Sequence, residues 1–258
     1  WPEILPPPLI SSFDAETLAA AAAGTRGLGV PTPEFERLDP RLIAAIVPAP
    51  QLWPHSWPFV TQVLAAILVA DFGITVVHLA SHKVGVLWRF HAVHHSVTRF
   101  YGLNGLMKHP LHQTVEMAAG VAPLILIGLP VDVASALGLA VAIQLLLQHS
   151  NADYRVGPAK YVLALNEGHR FHHLKWAGIG DVNFGLFTLV WDHLMRTYSY
   201  DPTRRFDSTQ LGMAAHPDYP TAYARQLIYP FTRSGGCTLT STTATKDATA
   251  TRATLEHG

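Results

Sequence analysis

The sequence predicts an all-α integral membrane protein, a helical bundle of about three to four spans with a cytoplasmic helical cap that carries clustered histidines. Three observations predict it. Charged residues make up 14% of the 258-residue chain, against about 25% in ordinary soluble domains. Hydrophobic residues make up 49%, the mean hydropathy is +0.20, and the apolar residues concentrate in three runs. Most of the 15 histidines fall in tight clusters near the ends of those runs. A large soluble helical core is the alternative, and low charge together with three separate runs argues against it.

Residues 1–58 are rich in proline, which breaks helices and removes backbone donors, so they read as an irregular or interfacial lead-in. Within them a short helix is expected over residues 12–23, capped by Ser12 or Asp14. Residue 1 is tryptophan rather than methionine, so further upstream sequence is expected. Residues 59–80 form the first long apolar run, with Asp71 as the one charge in it, and match the ~20 residues that a bilayer crossing needs. Residues 114–147 form a second apolar region, divided by Gly128, Leu129, Pro130, Val131 and Asp132. Each half is about 17 residues, the lower limit for a span, and Pro and Gly followed by Asp suit a tight turn. A helical hairpin that crosses and returns is the expectation. Residues 59–232 then constitute the membrane domain, and residues 233–258, rich in Thr, Ala and Ser without apolar periodicity, a disordered tail.

Loop charge sets an orientation. Lys83, Arg89, Arg99 and Lys108 precede the hairpin, Arg155, Lys160, Arg170 and Lys175 follow it, and its turn has no Lys or Arg. The positive-inside rule places both basic segments in the cytoplasm and the turn outside. Lys plus Arg and Asp plus Glu balance at 18 each, so no basic field points to nucleic acid. Cys237 is the single cysteine of these residues. It lies in the tail, reads as an incidental thiol, and leaves no thiolate metal cluster.

The chemistry lies in the histidines. His78 and His82 are spaced i, i+4; His91, His94 and His95 form H-x-x-H-H; His169, His172 and His173 form a second H-x-x-H-H. Positions i, i+3 and i, i+4 of a helix share a face, so each set presents imidazoles in one or two neighbouring directions. Imidazole suits Zn, Cu, Fe and Ni, and eight clustered rings exceed what one metal needs, so two metals are expected. His149, at the cytoplasmic end of the hairpin, is a ninth candidate ligand. Pro110 is expected to interrupt any helix around His109 and His112, which gives these two supporting or structural roles rather than ligation. Asp71 reads either as a partner that holds an imidazole or as a buried acid with a partner near its own helix end. His55, His193, His216 and His257 read as non-ligands.

The pattern H-x3-H, H-x2-H-H, H-x2-H-H resembles that of the fatty acid hydroxylase/sterol desaturase superfamily of membrane di-iron enzymes. The likeness extends beyond the histidines. Asp71 and His78 stand as the D-x6-H entry to the first motif, residues 87–96 (LWRFHAVHHS) resemble the second, and Lys108-His109-Pro110-Leu111 resembles the segment that opens the hairpin. Gln148-His149-Ser150-Asn151 is similar to the H-x-N element, and Asn183-Phe184-Gly185 with Trp191-Asp192 to the closing N-F-G…W-D block. The sequence departs from the pattern at Thr75, where an aromatic is frequent, at Leu79, where Arg is frequent, and at Leu194-Met195-Arg196-Thr197, which is usually L-F-G-T.

The resemblance implies two iron ions, Fe2+/Fe3+, held by His78, His82, His91, His94, His95, His149, His169, His172 and His173. It places Asp71, His109, Asn151, Asn183 and Asp192 around those ligands. It implies O2 as co-substrate and hydroxylation or desaturation of a lipid-like fatty acyl, sterol or terpenoid substrate. Electrons would come from an external donor (cytochrome b5, a ferredoxin or similar, with its reductase), because these residues carry no flavin or nicotinamide fingerprint and no Fe–S cysteines. Members usually have about four spans. The competing class is a non-enzymatic metal-binding or metal-transport membrane protein. A transporter places ionisable ligands at mid-membrane, whereas the clusters here follow the span ends and only Asp71 and Glu116 are clearly intramembrane.

Overall fold

A computed structural model describes residues 52–232 apart from 153–155, 177–178 and 205. The helix expected over 12–23, Cys237 and the tail lie outside the described residues, as does the lead-in up to residue 51. The described chain is mostly helical. Its extended pairings are two isolated bridges, Leu163 with Thr188 and Leu174 with Leu211, and it contains no strand.

Helix α1, Phe59–Lys83, follows Pro58 and runs unbroken for 25 residues. It stops where Val84 turns extended (φ −111°, ψ 111°), and α2, Gly85–His95, then packs back against it. Helix α3, Pro110–Leu126, corrects one expectation. Pro110 occupies the first turn, where no backbone donor is needed and its fixed φ suits the helix, and His109 caps it by accepting from Leu111 N–H at 3.1 Å. Pro110 therefore starts a helix instead of interrupting one. A turn over residues 127–130 leads into α4, Val131–Gln148, so two helices joined by a turn stand where the hairpin is expected, and both pack on α1. Beyond α4 the described residues are less helical than expected for a cap. Among them α5, Asn166–His172, α6, Val190–Met195, and α7, Tyr223–Ile228, are α-helical, with 7, 6 and 6 residues.

Two helices among the described residues, α1 and α4, are long and apolar enough to cross a membrane. Only 33% of each apolar window is buried, whereas a helix in a soluble core is mostly covered. On α1 the uncovered side chains Val60, Leu64, Leu68, Phe72 and Val76 recur every fourth residue, and on α4 Leu139, Ile143 and Leu147 do the same. Each helix thus presents one apolar stripe outward. The opposite faces meet in a core of Ala66, Ala70, Ile74, Leu124, Leu137, Val141 and Leu145, closed at one end by Trp53.

Helices α1 and α3 approach closely because glycines face each other. A methyl group on Gly73 would collide with the Ala119 carbonyl oxygen, and one on Gly120 would meet Ile74 Cγ1 at 2.8 Å. Small residues at such crossings allow close packing in lipid. Gly73→Ala is therefore expected to cost about 1–3 kcal/mol by overpacking and to lower the melting temperature in detergent. Gly138→Ala, where an added methyl meets nothing within 4 Å, is expected to be neutral or to gain up to about 1 kcal/mol in helix propensity. Equal melting temperatures for the two variants would contradict the crossing.

Candidate metal centre

Four helices deliver nine imidazoles to one end of the bundle. Near its C-terminus α1 supplies His78 and His82, and α2 supplies His91, His94 and His95. His149 ends α4, α5 carries His169 and His172, and His173 ends α5. All nine are buried. They fall into two groups, His78, His82, His91, His95 and His172 in one and His94, His149, His169 and His173 in the other, with the ligand atoms of each group within 4.8 Å of one another. Each H-x-x-H-H motif is split. Its i and i+4 positions share a face and enter one group, and the remaining histidine enters the other. His55, His193 and His216 lie outside both groups, and His257 lies outside the described residues.

The donor set fits metal cations better than it fits hydrogen bonding. His95 Nε2 faces Nε2 of His82 at 3.1 Å, of His91 at 3.0 Å and of His172 at 3.1 Å. His149 Nε2 likewise faces Nε2 of His94 at 3.2 Å, of His169 at 3.1 Å and of His173 at 3.2 Å. One ring nitrogen carries at most one proton and can serve one such neighbour. Several of these nitrogens must also be lone pairs. His78 Nδ1 lies 2.8 Å from Phe184 O, His172 Nδ1 2.8 Å from Val182 O and His149 Nδ1 2.9 Å from Leu145 O. A carbonyl only accepts, so each Nδ1 donates and the Nε2 of the neutral ring is left as an acceptor aimed inward. His78 Nε2 is buried without any hydrogen-bond partner. Metal–nitrogen bonds of about 2.1 Å bring neighbouring ligand nitrogens about 3.0–3.4 Å apart, which matches the spacing within both groups.

Burial also keeps the rings neutral. His91, His94, His95, His169, His172 and His173 are held well below the ordinary imidazole range, first by burial and then by neighbouring rings. His149 is lowered to about 3 by burial, partly offset by its bond to Leu145 O. Asp181 accepts from His82 Nδ1 at 3.0 Å and from Lys83 Nζ at 3.0 Å. Burial pushes its carboxyl up, but these partners outweigh it and bring the value to about 2.

One loop holds the carbonyls that orient His78 and His172, and two buried aspartates hold the loop. Asp71 accepts from the backbone N–H groups of Leu186, Phe187 and Thr188 at 2.8–3.0 Å and from Thr188 Oγ1 at 2.8 Å. Asp192 accepts from Phe184 N at 2.7 Å, Gly185 N at 2.8 Å and Thr197 Oγ1 at 2.7 Å. Asn183, left-handed at φ 54°, donates Nδ2–H to Gly168 O at 2.9 Å and Ser199 O at 2.7 Å. Asp192 and Asn183 thus act on the ligands through the backbone they fix.

Two expectations are corrected, and of the two roles expected for His109 the structure gives the structural one. Asp71 touches no imidazole and has no partner near its own helix end; its acceptor oxygens are filled by a loop more than a hundred residues away in sequence. Asn151 is exposed, and the asparagine buried against the chain that follows His149 is Asn166, which donates to Ala152 O at 2.7 Å and Ser150 O at 3.2 Å. His109 caps α3 and lies 3.0 Å from Leu227 O, which ties α7 to α3.

The sequence reading missed Asp181 and a polar row that begins just before α3 and continues along it. Lys108, His112 and Glu116 recur every fourth residue, a signal hidden by taking Pro110 as a breaker. Lys108 Nζ donates to Glu116 Oε2 at 2.6 Å with both side chains buried. Ser81 Oγ donates to Val77 O at 2.8 Å, so it accepts from His112 Nε2 at 2.8 Å. The His112 and His91 rings lie 4.5 Å apart. Lys108 and Glu116, with His78, His94, His149 and His169, border a cavity of about 10 Å3, room for roughly one water-sized molecule.

The depressed imidazoles set a pH dependence for the metal-free protein. Below the ordinary value of 6.5 the unfolded chain binds protons that the buried rings refuse, so folding stability is lost as pH falls. The chelator-treated protein is expected to melt well below its pH 8 temperature at pH 5. A flat melting temperature across that range would contradict burial of neutral rings.

With this geometry in hand, similarity to known proteins is specific. The fatty acid hydroxylase family model matches residues 63–197. An ornithine lipid hydroxylase of Rhizobium tropici is 36% identical over 183 residues, 71% of this chain and 54% of the relative. Alkylglycerol monooxygenases of Danio rerio and Xenopus tropicalis are 26% and 24% identical, each over 57% of this chain and about a third of their own length. The chain thus spans about half the length of the first of these relatives and less of the others. No solved structure matches. The match covers both histidine groups and the loop that orients them, and the chain belongs to the fatty acid hydroxylase family.

Proposed function

We propose that the chain is a membrane-bound, O2-dependent di-iron oxidoreductase that hydroxylates or desaturates an unactivated C–H bond of a lipid-like substrate. The observation that supports it most is the convergence of nine buried imidazoles into two adjoining groups. The five-histidine group would hold one iron and the four-histidine group the other. When bound, the irons supply the O2 activation that side chains alone cannot provide. Hydroxylation consumes the substrate, O2, two electrons and two protons and yields alcohol and water. The electrons come from a separate donor, a cytochrome b5, a ferredoxin or a similar carrier with its reductase. The chain's own groups orient the ligands through Phe184 O, Val182 O and Asp181, and place Lys108 Nζ beside Glu116 at the small cavity.

Fatty acyl, sterol and terpenoid compounds all fit the class of substrate. The relatives' names, ornithine lipid hydroxylase and alkylglycerol monooxygenase, support a lipid. In this reading residues 59–232 form the oxygenase domain, residues 1–58 an irregular or interfacial lead-in and residues 233–258 a tail. Helices α1 and α4 cross the bilayer, α3 makes a third span, and the family pattern allows a fourth. The protein is then a multi-pass membrane protein. The eight basic residues that flank the hairpin, against none on its turn, support histidine groups on the cytoplasmic side.

Two measurements test the reading. In lipid extracts of expressing cells grown under isotopically labelled O2, a product heavier by one labelled oxygen, or lighter by two hydrogens, is expected. It should be absent with His94→Ala or His172→Ala. Identical lipid profiles with and without the protein, in cells that supply a donor, would overturn it. In a Cys237→Ser background, Asp132→Cys is expected to react with an impermeant thiol reagent in intact cells and Thr98→Cys is not. The reverse pattern would contradict the orientation.

A further inference from the structure

A second cavity, of about 700 Å3, lies beside the metal centre and falls within the usual 300–1,000 Å3 of small-molecule sites. Its walls begin where both H-x-x-H-H motifs end. Ser96, Val97, Thr98 and Arg99 follow His95 directly, Lys175 and Trp176 come just after His173, and the far wall comes from residues 211–221. The walls are tied together and so are preformed. Lys175 N donates to Gln210 O and Ala214 N to Lys175 O, each at 2.9 Å. Gln226 Nε2 joins Ser96 Oγ at 2.9 Å to Pro220 O at 2.7 Å. Phe100, the neighbour of Arg99, packs on the rings of His149 and His173 at 5.3 and 5.2 Å. The cavity is therefore one side-chain layer from the four-histidine group.

Its chemistry is one-sided. Arg99 and Lys175 both line it, and its described lining contains no Asp or Glu. Arg99 is exposed and forms no ion pair among the described residues. Lys175 Nζ donates to Thr209 O at 2.6 Å, which fixes the ammonium and leaves two of its three protons for another acceptor. Asp207, outside the lining, feels the charge of Lys175, but Thr209 N–H already occupies its Oδ1 at 2.7 Å. Trp176, Tyr101 and Met213 add apolar surface. The cavity sits at the end of the bundle where α1 and α4 finish. If these helices span, that is the depth of lipid head groups.

We propose that this cavity binds the anionic head of an amphiphile, a phosphate or a carboxylate, through Arg99 and Lys175, and so holds a lipid whose chain serves the neighbouring metal centre. The head-group site stands on the cavity alone; its service to the centre rests on the hydroxylase reading. Binding of oleoyl lysophosphatidic acid and of 1-oleoylglycerol, which differ by the phosphate, tests it on the full chain in dodecyl maltoside by native mass spectrometry. The phosphorylated probe is expected to bind about tenfold tighter, the effect of one or two charge-assisted hydrogen bonds. Arg99→Gln with Lys175→Gln should abolish that preference while leaving oleoylglycerol binding and metal content unchanged, and Arg99→Lys with Lys175→Arg should restore it. Equal affinity of the native protein for both probes, or a preference that survives the double Gln variant, would overturn the proposal. Displacement of the lipid by an equal concentration of inorganic phosphate would show a free-anion site and overturn the lipid assignment. No turnover enters the measurement, so a protein that shows the preference but oxidises no lipid refutes the hydroxylase reading and leaves the head-group site standing.

Discussion

The structure depends on one electrostatic constraint. Nine imidazoles are buried together, and eight of them point nitrogens at one another across 3.0–3.2 Å gaps. Without a cation only some of these nitrogens can be paired by a ring proton, and the remaining lone pairs face one another inside a low-dielectric site, where unsatisfied polar groups are costly. Such an arrangement persists only when the surroundings fix each ring. The rest of the molecule supplies that fixation in layers. Carbonyls of Phe184 and Val182 and the carboxylate of Asp181 set three of the rings, and Asp71 and Asp192 set the loop that carries those carbonyls. Surrounding groups of this kind orient and tune metal ligands as much as the ligands themselves do.

The helices serve the same end. Gly73 and Gly120 bring α1 and α3 close, which places His112 and Glu116 against His91 and Ser81. The outward stripes on α1 and α4 are apolar and uncovered, so the polar inventory is withdrawn to one end of the bundle and its interior. Lys108 and Glu116 are buried as a pair. Breaking such a pair from one side strands a charge and is strongly destabilising, so this pair helps fix the chain that leads into α3 against the helix.

Much of the centre was legible in the sequence because helical spacing is local. All nine imidazoles fall in the two groups, and each H-x-x-H-H divides as i, i+4 geometry requires. The supporting residues were harder because their partners are remote. Nothing near Asp71 announces that Leu186, Phe187 and Thr188 will donate to it. Asn151 and Asn166 compete for one role, and only the folded loop shows that Asn166 is buried. Lys108, His112 and Glu116 were readable as a row, had Pro110 been taken as a helix start. The departure at Arg196 has a structural reading as well. It ends α6 in the left-handed region at φ 60°, a position that glycine adopts without the Cβ cost.

The central claim is that the two histidine groups are two separate metal sites in one chain. Metal analysis of protein purified from iron-replete cells, combined with variants that disable one group at a time, tests it most directly. The account predicts close to two irons per chain in the native protein and about one when His149 and His169 are both changed to alanine, with the five-histidine site still filled. One metal or none in the native protein, or no loss of metal in that variant, would contradict it.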